Sequence, residues 1–184
     1  MIEQPIDQLP IIASITKPEQ IEAVMKSKIK RVNLMTGDMM TLSSIVSDLH
    51  KAGKQVHVHL EMVSGLGRDI STVQYLSKTF GIDGIVSTKS NMIAAARQVG
   101  IRSIQRIFGI DTAAVETAIK MIGQVQPDEV ELMPGLMPRV IKDMKQRINC
   151  PLIVGGLIRH EDEIREALAC GADYVSIGDK RYWL

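Results

Sequence analysis

Eight short apolar runs punctuate the chain: LPIIASI (9–15), KRVNLMT (30–36), QVHVHLEMV (55–63), GIVSTK (84–89), SIQRIFG (103–109), EVELMPG (129–135), PLIVGG (151–156) and YVSIGDK (174–180). Several are apolar at consecutive positions. A strand apolar on both faces is covered on both faces, the condition of a parallel sheet wrapped by helices. Between the runs lie segments of helical period, at roughly 20 to 30 residues per strand-plus-helix unit, as βαβ crossovers require. DTAAVETAIKMIGQVQ (111–126) opens on an Asp N-cap and carries an apolar stripe at Val115, Ala118, Ile119 and Ile122. HEDEIREALACG (160–171) places three acids in its first turn, where the helix dipole favours them, and closes on Gly171. The segment 38–53 runs likewise from Asp38 through Met39, Leu42, Ile45, Val46 and Leu49 to Gly53.

Strict alternation of strand and helix predicts an α/β fold. Eight strands and seven good helices fit a compact TIM-type (β/α)8 barrel, a single domain over residues 1–184. The rival doubly wound sheet needs a glycine fingerprint after its first strand, and ASITKPEQ supplies none. RYWL follows soon after the eighth strand, so the eighth helix is expected to be missing or vestigial. A flank left bare by that helix would suit a partner subunit, and a homo-oligomer is expected on that ground.

Composition narrows the function more than the fold. With 45% apolar but only 3% aromatic residues, the core must be built from aliphatic side chains and eleven Met. A net charge of +1 excludes a globally basic nucleic-acid binder and leaves only local basic patches. Cys150 and Cys170 lack metal-type spacing and read as thiols in a reducing compartment. MIEQPIDQLP is no signal peptide, and no stretch reaches the ~18 apolar residues of a membrane span; a soluble, cytoplasmic protein without membrane partners is expected.

In a barrel the working face lies at the C-terminal strand ends. The polar and small residues expected there are His59 and Glu61 on the third strand, Lys89 on the fourth, Arg106 on the fifth and Glu131 on the sixth, then Gly155 and Gly156 on the seventh, and Ser176 and Gly178 on the eighth. Glycines after strands seven and eight let backbone N–H groups approach a phosphate. Lys89 and Arg106 would add cationic donors, and Glu131 would pair with Arg106 or accept from ligand hydroxyls. HVHLE puts His57, His59 and Glu61 on one strand face, but the only other histidines, His50 and His160, fall in a helix and a loop, so no metal is expected. There is no G-x-S-x-G elbow and no Walker loop, and no catalytic residue is assigned. Lys89 keeps Schiff-base chemistry open. These residues alone do not separate an enzyme acting on a phosphorylated substrate from a sensor that reads one.

VHVHLEMVSGL (56–66), GIVSTKSNMI (84–93), SIQRIFGID (103–111), VELMPGLMP (130–138), VGGLIR (154–159) and the closing RYWL resemble the glycerol-3-phosphate-responsive antiterminator proteins of glycerol uptake operons. STKSN and IQRIFGID together carry the specificity of that resemblance. It implies a small TIM-type barrel with no cofactor, binding glycerol 3-phosphate as effector. It further implies action on leader mRNA of glycerol-utilisation operons, promoting transcription antitermination. His59, Lys89, Arg106, Glu131, Gly155, Gly156 and Ser176 match the family's motif positions; Glu61 stands where the family usually has Asp, and Gly178 where it has a small polar residue. The alternative is a barrel enzyme of lyase, isomerase or aldolase type. For RNA contact the candidates are KSKIKR (26–31), RVIKDMKQR (139–147) and the tail Lys180, Arg181, Tyr182 and Trp183, whose aromatic rings would stack on bases.

Overall fold

All eight apolar runs form strands in the computed structural model, which describes residues 4–184: β1 Ile11–Ile15, β2 Arg31–Leu34, β3 Gln55–His59, β4 Gly84–Ser87, β5 Arg102–Phe108, β6 Glu129–Met133, β7 Leu152–Gly155 and β8 Tyr174–Ile177. They pair in parallel in chain order, and β8 returns to β1 to close the barrel. Seven helices wrap it: α1 Ile21–Lys26, α2 Leu42–Lys51, α3 Ile70–Tyr75, α4 Ser90–Val99, α5 Thr112–Val125, α6 Pro138–Arg147 and α7 Glu161–Ala169. The helix starts follow from their caps. Asp111 accepts the Ala114 N–H at 2.7 Å, and Glu163 accepts from the N–H groups of Arg159 and His160 at 2.7 and 3.0 Å.

Where an eighth helix would lie, the described chain makes one short turn, Lys180–Tyr182. Trp183 then buries its ring in the outer core and donates its indole N–H to the Ile177 carbonyl at 3.0 Å. The flank is therefore partly covered by the chain's own tail.

Side chains alternate across the barrel wall. Ala13, Ile15, Val32, Leu34, Val56, Val58, Val130, Leu132, Val154 and Val175 point outward and are buried under the helices. The inward positions stack in layers of four from alternate strands, read off the ladder registers. The floor holds Arg31, Gly84, Glu129 and Tyr174, where Arg31 pairs with Glu129 at 2.6 Å and lies 4.7 Å from the Tyr174 ring centroid. Arg31 thus leaves the basic segment 26–31 to plug the barrel. Above it sit Ile12, His57, Ile104 and Ile153, then Asn33, Val86, Glu131 and Ser176. The fourth layer is Ser14, His59, Arg106 and Gly155. The lumen is closed and charged at its floor, apolar in the middle and polar towards the C-terminal mouth.

Candidate functional site

The mouth is organised by one ion pair. Arg106 and Glu131 are register partners on β5 and β6, and the Arg106 Nε donates to Glu131 Oε2 at 2.8 Å. The guanidinium then extends across the lumen, bringing Nη2 within 3.3 Å of the Met35 sulfur beyond the end of β2. Both charges are withdrawn from solvent, with Arg106 6% exposed and Glu131 0%. Such burial is tolerable only because each charge faces the other.

Several buried polar atoms around this pair have no hydrogen-bond partner among the described residues: Glu131 Oε1, both amide atoms of Asn33, and both ring nitrogens of His57 and His59. Burial is the main cause that pushes His57 down to about 4 and His59 down to about 3, with Arg31 and Arg106 adding repulsion respectively. Both rings are neutral at pH 7, so the 3.4 Å approach of His59 Nδ1 to Glu61 is a polar contact and not an ion pair. Below the ordinary histidine value of 6.5 the unfolded chain gains protons that the fold refuses until about 4 and about 3, so stability is complete above that value and falls as pH drops. Between pH 7.5 and 5.5 the two rings together are expected to cost about 3 kcal/mol. Urea unfolding at the two pH values measures this. Replacing His57 with leucine should remove about half the slope, and a pH-independent midpoint would contradict the assignment.

The glycine loops meet this mouth from β7 and β8. Gly155 sits beside Ser176, and a Cβ there would lie 2.9 Å from the Ser176 carbonyl oxygen, so no larger residue fits. Gly156 and Leu157 both take left-handed backbone, with φ of 77° and 64°. Among the described residues, no oxygen accepts the N–H of Gly156, Leu157 or Gly178. Three uncommitted backbone donors at adjacent strand ends can hold the oxygens of an anion. Ser14 and Ser176 share a hydrogen bond of 2.6 Å beneath them, and Gln20 ties the loops by donating to the Gly178 carbonyl at 2.8 Å.

The structure brings His59, Arg106, Glu131, Gly155, Gly156, Ser176 and Gly178 to this mouth, and moves others. Glu61 is not on a strand face. Leu60 donates its N–H to the Val86 carbonyl, and Met62 and Val63 turn back onto the His59 carbonyl, ending β3 at His59. The Glu61 carboxylate then turns sideways to the end of β4, accepting from Ser87 Oγ at 2.5 Å and from the Thr88 N–H at 3.2 Å. It positions the β4 loop. Lys89 is also displaced: β4 ends at Ser87, and Lys89 caps α4 with an exposed side chain at the rim. The expectation that Trp183 would stack on bases is corrected by its burial. Tyr182 is half-buried and donates its hydroxyl to the Arg159 carbonyl at 3.0 Å, Arg181 pairs with Asp179 at 2.6 Å, and Lys180 is exposed. In the basic stretch 139–147, Lys145 and Arg147 are taken by Asp173 and by Glu116 with Asp143. His50 pairs with Asp83 at 2.9 Å on the outside of the barrel, and His160 precedes α7, so the four histidines do not converge on one point.

Asn33 is the residue that sequence reading passes over. It lies inside the run RVNL, where its neighbours Val32 and Leu34 mark an ordinary buried strand. The parity of those two neighbours places it on the lumen side, and that signal is available only once the barrel is assumed.

Residues 11–183 match the model of a family described as glycerol-3-phosphate responsive antiterminator. A curated relative, the uncharacterized protein YgcP of Escherichia coli strain K12, is 31% identical over 176 residues, covering 96% of this chain and 92% of its own. Among solved structures, the glycerol uptake operon antiterminator regulatory protein of Listeria monocytogenes superposes with a TM-score of 0.91 at 31% identity, over 99% of this chain and 98% of that one. A glycerol uptake operon antiterminator-related protein of Thermotoga maritima gives 0.85 at 29% identity, over 95% and 98%.

Proposed function

Since the chain belongs to the glycerol-3-phosphate responsive antiterminator family, a family of regulators, we propose that it binds glycerol 3-phosphate at the barrel mouth and, in doing so, controls its action on leader mRNA of glycerol-utilisation genes. The observation that carries the ligand half is the meeting of uncommitted glycine-loop donors with the Arg106 guanidinium over a polar lumen. The loops would take the phosphate, and the carboxylate and imidazole below would face the hydroxyls. Lys89, at the rim, would add charge as the ligand enters.

The family's regulatory character favours a sensor over a catalyst, and the mouth accords with that. Ser14 and Ser176 bond to each other and not to a base. A Schiff-base lysine is activated by desolvation or by a neighbouring cation, and Lys89 is exposed to solvent. For RNA, the tail with Lys180 and Arg181 beside the mouth is the reading we favour, used in the cytoplasm and doubled in a homo-oligomer. No described helix is long and apolar enough to cross a membrane.

Leader-transcript binding measured across salt concentration, with and without glycerol 3-phosphate, tests the RNA half. Affinity should fall with rising salt, and replacing Lys180 and Arg181 with alanine should flatten the slope by about 1 to 2. Binding indifferent to salt, or to glycerol 3-phosphate, would defeat this half of the proposal.

A further inference from the structure

Below the mouth, the Asn33 layer is built of polar groups that the protein itself leaves unanswered. Asn33 is 0% exposed, yet neither its oxygen nor its nitrogen has a partner among the described residues; the same holds for Glu131 Oε1 in that layer and for the His59 nitrogens one layer above. Buried amides left unpaired are costly, and native lumens that keep them hold water or a ligand for them to bind. Ser14 and Gly155, the two small residues of the layer above, stand between the glycine loops and Asn33, Glu131 and Ser176, and a ligand reaching that layer would enter there by displacing the Ser14–Ser176 hydrogen bond.

The dimensions suit a short polyol phosphate. Asn33 and Ser176 share a layer, and Gly178 stands two residues above Ser176 on β8. A strand rise of ~3.3 Å per residue at a tilt of ~36° makes that step about 5 Å. A three-carbon chain with its phosphate at Gly178 therefore brings its far hydroxyl to the Asn33 level.

We propose that Asn33, with Glu131 and His59, forms a lumen subsite that reads the hydroxyl groups of a phosphorylated polyol, and that Asn33 is a specificity-determining residue. This rests on the phosphate reading of the glycine loops. The Asn33 amide donates to one hydroxyl oxygen and accepts from a neighbouring O–H, Glu131 Oε1 accepts a second, and neutral His59 can serve in either role. Arg106, held by the other oxygen of Glu131, links this subsite to the phosphate above.

The test is calorimetric titration of the wild type and Asn33→Leu with glycerol 3-phosphate and with propyl phosphate, which has the same dianion and carbon chain but no hydroxyls. The wild type should prefer glycerol 3-phosphate by tenfold or more. Asn33→Leu should bring that preference to near unity while leaving propyl phosphate affinity within about twofold. Because the amide has no protein partner to lose, Asn33→Leu should melt no lower than the wild type; should it fail to fold, Asn33→Ser carries the same comparison. An unchanged preference in the variant, or a wild type that does not discriminate, overturns the subsite while the phosphate reading stands. A wild type that binds neither compound overturns both.

Discussion

Replacing Arg106 with methionine is expected to destabilise the protein by about 3–5 kcal/mol, because it strands the Glu131 carboxylate at 0% exposure with no counter-charge. For a domain of this size that lowers the melting temperature by roughly 6–20 °C. The loss belongs to the stranded charge and not to the pair. Removing both charges together, as Arg106→Met with Glu131→Leu, should recover most of the stability, since a buried ion pair and an apolar replacement of similar volume are near neutral. Neither variant should respond to glycerol 3-phosphate. Equilibrium urea unfolding of the two single variants and the double variant measures the coupling. A single Arg106 variant as stable as the wild type would mean that the pair is not the buried element that organises the mouth.

The second large effect concerns Gly156. Its φ of 77° suits glycine, and a Cβ would stand 3.6 Å or more from its nearest neighbours in Met133. The position has room but the wrong backbone for a branched side chain. Gly156→Val should therefore fold, at a cost of about 1–3 kcal/mol in strain, while re-aiming the N–H groups that the phosphate needs. Its response to glycerol 3-phosphate should fall at least a hundredfold. Gly156→Asn, which tolerates left-handed backbone, should keep most of the response. Equal loss in both variants would mean that side-chain bulk, not N–H direction, is what matters there.

How much of this was legible beforehand follows the physics of each signal. The eight strands, the Asp111 cap and the acid-led start of α7 were readable because apolar runs and helix-start chemistry are local. The Arg106–Glu131 pair was readable because a carboxylate inside an apolar strand demands a cation. Glu61 and Lys89 misled for one reason: each lies one or two residues past a strand's last ladder bond, where period-two reasoning stops applying. Trp183 misled because an aromatic just after Lys180 and Arg181 reads as exposed, whereas the outer core gives its ring a place to be buried. Asn33 was hidden by its neighbours, since two flanking aliphatics carry the strand signal and the lumen parity emerges only from closure of the barrel.

The most direct test of the account is thermal unfolding of the wild-type protein with and without glycerol 3-phosphate, beside inorganic phosphate. Saturable stabilisation by glycerol 3-phosphate is expected, about 2.7 kcal/mol at one hundred times Kd, seen as a rise of roughly 5–10 °C. Inorganic phosphate should give a smaller rise. A melting temperature unmoved by millimolar glycerol 3-phosphate would contradict it.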